Sequence, residues 1–120
     1  MLATRRWDPL LGPLQLSTLR RTLEREGMVT AWWSDVPGTR VPTHSHEFAE
    51  TRWVLEGFLR VTAGGDTIEM GPGDRLDLPP RTPHATEVIG LGQVIYVTGT
   101  ADRQAQISQL EKSTPPPSSA

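Results

Sequence analysis

The sequence contains no cysteine, which excludes disulfides, thiolate metal sites and cysteine nucleophiles. Any metal ion would have to be held by nitrogen and oxygen atoms. The sequence also lacks a run of roughly 18 to 20 apolar residues, the length that a membrane-spanning helix needs, and an apolar signal-peptide core near its N-terminus. We therefore expect a soluble, cytoplasmic protein that does not act at a membrane.

An excess of charge of one sign is missing as well. Twelve basic and fourteen acidic residues give a formal net charge of −2, and neither sign forms a long run. Nucleic acids and anionic membranes attract proteins through concentrated positive charge, so neither is an expected partner. A small-molecule ligand or substrate is the favoured partner.

Glycine and proline, in contrast, are plentiful, with eleven of each among 120 residues. They cluster between short apolar runs, as is typical of an all-β domain with tight turns. The clearest helical period lies in residues 14–26, where Leu16, Leu19 and Leu23 follow at spacings of three and four before Gly27. This segment predicts one short amphipathic helix near the N-terminus.

From residue 28 the apolar period shortens to two, which indicates strands. Strand-like runs bounded by turn residues occupy 28–33, 52–56, 58–62, 67–70, 75–78, 85–89 and 93–98. No helices separate these runs, so a parallel α/β fold is excluded and an antiparallel sandwich or barrel is favoured. We predict an N-terminal arm in residues 1–13, a barrel domain in 14–100 that includes the helix 14–26, and a polar, Pro-rich tail in 101–120.

The three histidines of the chain are the candidate metal ligands. His44 and His46 lie two apart in a segment that we predict to be extended, so their side chains share a face, with Cα atoms about 6 to 7 Å apart. Glu50 follows closely enough to complete a facial set, and His84 comes directly after the rigid, Pro-rich corner 79–83. Three imidazoles and one carboxylate favour one divalent transition metal ion (Fe, Mn, Zn, Ni, Co or Cu) over Ca or Mg. A His-x-His pair by itself is weak evidence, since most such residues are surface or hydrogen-bonded histidines.

Two motifs strengthen this interpretation, because residues 38–57 and 73–84 resemble the two conserved motifs of the cupin family. The first motif is filled by Gly38, His44, His46, Glu50 and Gly57, and the second by Gly73, Pro79 and His84. Two positions depart from the family pattern: Arg81 stands where the family usually has Gly, and Val88 where it often has Asn. The first departure bears on the turn, because Arg is strained at positive φ where Gly is not. Neither departure removes a ligand.

The resemblance implies an all-β fold, an antiparallel jelly-roll β-barrel with the short N-terminal helix outside it. It also implies that the metal ion lies inside the barrel and is held by His44, His46, Glu50 and His84.

Two further residues are candidates for action on a bound molecule. If Glu50 points into the barrel, strand alternation puts Arg52 on the same side and Trp53 on the other. Arg52 could then bind an anionic group such as a carboxylate, although pairing with a nearby acidic residue or a solvated place at the barrel mouth is the plainer interpretation. Tyr96 is the second candidate, as a phenol that donates a hydrogen bond to a metal-bound ligand.

Two consecutive tryptophans bear on assembly. Trp32 and Trp33 point to opposite faces of one predicted strand, so both are buried only if the helix or a second subunit covers the outside of the sheet. This pattern favours a homodimer, which the family resemblance also implies.

Three functions are compatible with this site. Four protein ligands on an ion that prefers five or six leave room for a small molecule, as a metal enzyme requires, and cupin dioxygenases and isomerases are the family precedents. The alternative is a non-catalytic, metal-containing module that binds or senses a small molecule. The complete ligand set disfavours a third function, a metal-free barrel that binds a sugar.

Overall fold

A computed structural model describes residues 2–101, which form one α-helix and nine β-strands. The elements in chain order are β1 (Ala3–Arg6), a 3-10 turn (Pro9–Leu11), α1 (Leu16–Arg25), β2 (Val29–Asp35), β3 (Arg40–His44), β4 (Glu50–Glu56), β5 (Phe58–Ala63), β6 (Asp66–Met70), β7 (Asp74–Leu78), β8 (His84–Ile89) and β9 (Val94–Thr100). The predicted tail, 101–120, lies outside the described residues except for Ala101.

The strands form two antiparallel sheets that face each other. One sheet has the order β1-β7-β4-β9-β2 and the other the order β3-β8-β5-β6. The core between them consists of Val54, Leu59, Val61, Met70, Leu76, Leu78, Val88, Val94 and Tyr96. The predicted fold class, an antiparallel jelly-roll with one N-terminal helix, is therefore confirmed.

Helix α1 covers the outer face of the five-stranded sheet. Leu19 and Leu23 are fully buried there against Trp53 and Val97, and burial of each leucine contributes about 1.5 to 3 kcal/mol. The C-terminal end of the helix is tied to the sheet, because Glu26 accepts two hydrogen bonds from Arg75, at 2.7 and 2.8 Å.

Strand β4 is central and buried on both faces, which is why it can carry both core and site residues. Val54 faces the core between the sheets, whereas Trp53 faces α1. The alternation predicted from the sequence therefore holds, and Glu50 and Arg52 lie on the inner side with Val54.

The N-terminal segment adds one element that the pattern did not predict. β1 pairs with β7 at the edge of the five-stranded sheet, and all four of its residues are exposed. Arg5 bonds Asp77 at 2.9 Å, so polar rather than apolar contacts accompany this pairing.

The two tryptophans of β2 lie on opposite faces, as expected. The Nε1–H of Trp33 donates to Thr98 Oγ1 at 2.8 Å, against the inner core. Trp32 keeps 51% of its surface exposed on the other face. Within residues 2–101, no helix has the length and apolar character that crossing a membrane would require.

Candidate metal centre

The four predicted ligands meet at one end of the barrel, where the two sheets approach each other. His44 ends β3 and His84 begins β8, and the two are cross-strand partners in the four-stranded sheet. Glu50 begins β4 in the opposite sheet. His46 departs from the expectation, because β3 ends at His44 and His46 lies in the loop that follows rather than in an extended strand.

The ligand atoms nevertheless converge. One ligand nitrogen from each of His44, His46 and His84 lies within 4.8 Å of the others, and the Nε2 atoms of His44 and His46 are 3.1 Å apart. Glu50 Oε1 is 3.7 Å from the Nε2 atoms of His46 and His84. Glu50, His46 and His84 are buried, and His44 is half-buried.

Backbone carbonyls fix the orientation of two of the rings. The Nδ1 of His44 donates to Pro42 O at 2.7 Å, and the Nδ1 of His84 donates to Thr82 O at 2.8 Å. A carbonyl can only accept, so each Nδ1 carries the proton and each Nε2 holds a lone pair. Burial lowers the pKa of His84, which favours the neutral form that a metal ligand needs.

Two contacts that the sequence patterns did not reveal hold the loop of His46. The ring of Phe48 stacks on the imidazole of His46, with centroids 4.6 Å apart and planes 14° apart. The backbone N–H of Arg81 donates to the carbonyl of His46 at 2.6 Å. Arg81 has φ +57°, so this turn has the left-handed conformation that favours Gly.

The chemistry of these residues fits a divalent transition metal ion. Glu50 Oε1 and His84 Nε2 are buried and have no hydrogen-bond partner, which is costly for polar atoms unless a cation compensates them. Separations of 3.1 to 3.7 Å are those of ligand atoms that share an ion at bond lengths of about 2.0 to 2.2 Å.

Arg52 lies beside the ligands, on the same strand as Glu50. It is only 5% exposed, and its Nε donates to Glu50 Oε2 at 2.8 Å. Its Nη1 is buried without a hydrogen-bond partner. Burial acts to lower the pKa of Arg52, but the interactions with Glu50, Tyr96 and Asp35 together outweigh burial, so the pKa is raised. Arg52 therefore pairs with an acidic residue, as the plainer interpretation expected, but inside the barrel rather than in water at its mouth.

Tyr96 lies on the other side of Arg52. The guanidinium carbon of Arg52 is 5.4 Å from the centroid of the Tyr96 ring, and the phenol donates to Asp35 Oδ2 at 3.4 Å. Burial raises the pKa of Tyr96 to about 12, and the charge of Asp35 adds to the increase. Asp35 was not singled out from the sequence, because nothing in the local pattern shows that the end of β2 faces Tyr96.

Solved structures share this fold. An RmlC-like cupin from Shewanella frigidimarina matches with a TM-score of 0.58 and 20% identity over 67% of this chain and 71% of that chain. KdgF from Halomonas sp. matches with a TM-score of 0.59 and 18% identity over 67% of this chain and 75% of that chain. At these identities, the likeness shows the fold alone.

Oxalate decarboxylase from Bacillus subtilis is also similar, with a TM-score of 0.57 and 23% identity over 63% of this chain. The match spans only 22% of the decarboxylase, which has Mn(II) centres. No curated protein matches the chain in sequence.

A family model supplies the assignment that the structures alone do not. The model described as the cupin domain matches residues 31–98, more than half of the chain. The matched region runs from β2 to β9 and includes both motifs and all four converging residues. The chain therefore belongs to the cupin family.

Proposed function

We propose that this cupin binds one divalent transition metal ion through His44, His46, Glu50 and His84 and receives a small molecule at the open positions of that ion. The observation that carries the proposal is the pair of buried atoms without hydrogen-bond partners, Glu50 Oε1 and His84 Nε2. Both point to the place where the histidine rings converge. A bound cation would satisfy both atoms at once.

The favoured activity is that of a metal-dependent enzyme of the dioxygenase or isomerase type. When bound, the ion would supply Lewis acidity or oxygen activation. The chain's own residues position the ligand set through backbone carbonyls, exclude water by burial and keep the charge of Arg52 next to Glu50. Tyr96 and Arg52 are the residues proposed to contact the bound molecule.

A non-catalytic binding or sensing module is the second candidate, because Arg52 and Tyr96 are both hydrogen-bond donors held by acidic partners, Glu50 and Asp35. A phenol with a pKa of about 12 keeps its proton at neutral pH, and Arg52 keeps its charge. Neither group is therefore suited to act as a general base, which is best when its pKa is near the working pH.

The metal site is tested by elemental analysis of protein purified without a metal-affinity tag. We expect about one transition metal ion per chain, and loss of that ion when His44 and His46 are both replaced by Ala. Glu47→Gln is the matched control, because Glu47 is in the same loop with a side chain 87% exposed. Full metal retention in the double variant would contradict the site.

The two candidate activities are separated by oxygen uptake and turnover. The Fe(II)-loaded protein would be screened with catechols, thiols, β-diketones and amino acids. Turnover of one class supports the enzyme. Tight binding of a compound without its conversion supports the binding module.

A homodimer and a cytoplasmic location complete the proposal. Trp32 is half exposed although α1 covers part of the same face, and a second copy of the chain would cover it. Sedimentation over a range of concentrations should show a dimer that Trp32→Ser weakens. Leu91→Ser, at a fully exposed position elsewhere, should leave the dimer unchanged, and a monomeric wild-type protein would contradict this part of the proposal.

A further inference from the structure

The guanidinium of Arg52 is a buried charged group with one nitrogen that has no hydrogen-bond partner. Its side chain is 6% exposed, and one of its nitrogens, Nε, is used by Glu50. Nη1 is buried with no partner. A buried N–H of a charged group costs more to leave unpaired than any other common donor, so this atom indicates that a ligand is needed.

The charge of the site indicates the sign of that ligand. The three imidazoles are neutral, and the negative charge of Glu50 cancels the positive charge of Arg52. A divalent metal ion would therefore leave the buried site with a net charge of two positive units. Asp35, which bonds Tyr96 at 3.4 Å, offsets at most one of them. At least one negative charge is therefore missing, and burial of unbalanced charge is strongly unfavourable.

The shape of the donor indicates the chemical class. A guanidinium is a planar fork that matches the planar oxygens of a carboxylate. Among residues 2–101, Arg52 is the cation that pairs with Glu50 inside the barrel, and the side chain of Arg81 is 70% exposed and pairs with Glu47, whereas a phosphate group generally requires several donors or a helix N-terminus. Glu50, Arg52 and His84 are each at most 5% exposed, which favours a ligand that places only a small group beside them.

We propose that the ligand of this site is a small carboxylate, received jointly by Nη1 of Arg52 and by the ion that Glu50 and the three histidines hold. This inference rests on the proposed metal site and adds the substrate class to it. Arg52 is then a specificity-determining residue, and its bond to Glu50 holds the guanidinium beside the candidate ligands.

The test measures binding by calorimetry with the Mn(II)-loaded protein and three probes. Glycolate carries the carboxylate, glycolamide is its neutral counterpart of similar shape, and inorganic phosphate is a competing anion. We expect glycolate to bind more tightly than both. Arg52→Gln should weaken glycolate by about 10- to 100-fold, the size of a lost charge-assisted hydrogen bond, and leave glycolamide nearly unchanged. Arg60→Gln is the control, because Arg60 pairs with Glu69 and Glu87 on the outer face.

The ratio of glycolate to glycolamide affinity is the decisive quantity, since a residue that merely holds Glu50 would not change it. Metal content is measured in the same samples. If the wild-type protein holds neither Mn(II) nor any other divalent transition metal ion, the proposed metal site fails and this inference fails with it. If Mn(II) is bound and the ratio is the same in wild type and Arg52→Gln, or phosphate binds more tightly than glycolate, the inference alone is wrong.

Arg52→Lys keeps the positive charge and is used if Arg52→Gln does not fold, as its circular dichroism would show. A lysine lacks the planar fork, so we expect the same ratio to fall in this variant as well, to a smaller extent. An unchanged ratio would overturn the inference.

Discussion

Replacing Arg81 by Gly should stabilise the protein, although the change removes a large side chain next to the candidate metal centre. Arg81 lies between β7 and β8 and has φ +57°, the only positive value of a non-glycine residue among residues 2–101. Its guanidinium is 70% exposed and lies 3.7 Å from Glu47, whose side chain is 87% exposed. Such a solvated ion pair contributes little, while the Cβ atom still carries the cost of the left-handed conformation.

The magnitude follows from two opposing effects. An L-residue with a Cβ pays about 1 to 2 kcal/mol in the left-handed region, and Gly avoids this cost. Gly also gives the unfolded chain more freedom, which offsets about 0.5 to 1 kcal/mol of the gain. The N–H of residue 81 keeps its bond to the carbonyl of His46. We therefore expect a net gain of about 0.5 to 1 kcal/mol, or an increase in Tm of about 2 to 8 °C for a domain of this size.

The assay is thermal and urea unfolding of the metal-free protein in chelator, followed by circular dichroism, so that ion binding does not add to stability. Arg81→Ala separates the two explanations, because it removes the guanidinium but keeps the Cβ atom. We expect no gain from Ala. If Ala stabilises as much as Gly, the backbone strain is not the cause, and if Gly lowers the Tm, the reasoning is refuted.

Three further predictions concern charged and titratable groups. Glu26→Gln should lower the free energy of unfolding, measured in urea, by about 1 to 2 kcal/mol. The substitution weakens two hydrogen bonds to the buried Arg75, but the effect is limited because the side chain of Glu26 is partly exposed to water. Ultraviolet titration should show Tyr96, the only tyrosine of the chain, ionising near pH 12 rather than 10. The metal-free protein should lose stability as the pH falls below 6.5. Burial lowers the pKa of His84 in the folded protein, so below pH 6.5 this histidine is protonated in the unfolded chain while it is still neutral in the folded one. Proton uptake then favours the unfolded state.

Each of these predictions has a control or a contrary outcome. Glu56→Gln, at an exposed position, should leave the unfolding midpoint where it is in wild type. Asp35→Asn should lower the pKa of Tyr96. If Tyr96 of the folded wild-type protein ionises at pH 10, the expected effect of its burial on the pKa is wrong. His84→Asn should reduce the acid sensitivity near pH 6, and an unchanged pH profile would show that other groups cause it.

The fold was largely predictable because apolar periodicity and turn residues are local signals. The predicted helix, residues 14–26, lies within two residues of α1 at its start and one at its end. The strand β1 could not be predicted in the same way. Its residues are all exposed, and its partner β7 is about 70 positions away, so no local pattern of apolar residues marks it.

The site was predictable to a different degree for each residue. Strand spacing led us to expect His44 and His46 on one face, but β3 ends at His44, and the loop brings His46 to the centre. The pairing of His44 with His84 joins β3 to β8, a contact that no local spacing contains. The motif resemblance, rather than strand geometry, therefore supplied the full set of four.

Neither the motif nor strand alternation predicts the environment of the Arg52 side chain. Alternation places Arg52 on the inner face of β4, between Leu76 on β7 and Thr98 on β9 in the register of the sheet. Alternation does not show that its side chain is 6% exposed, that its Nε bonds Glu50 or that its Nη1 is buried without a hydrogen-bond partner. Glu50, a position that the motif specifies, lies two residues before Arg52 on the same face of β4, where the candidate ligands converge. The motif positions therefore indicate the candidate metal site. Arg52 lies within the span of the first motif at a position that the motif does not specify, and we propose that residues of this kind determine which molecule binds.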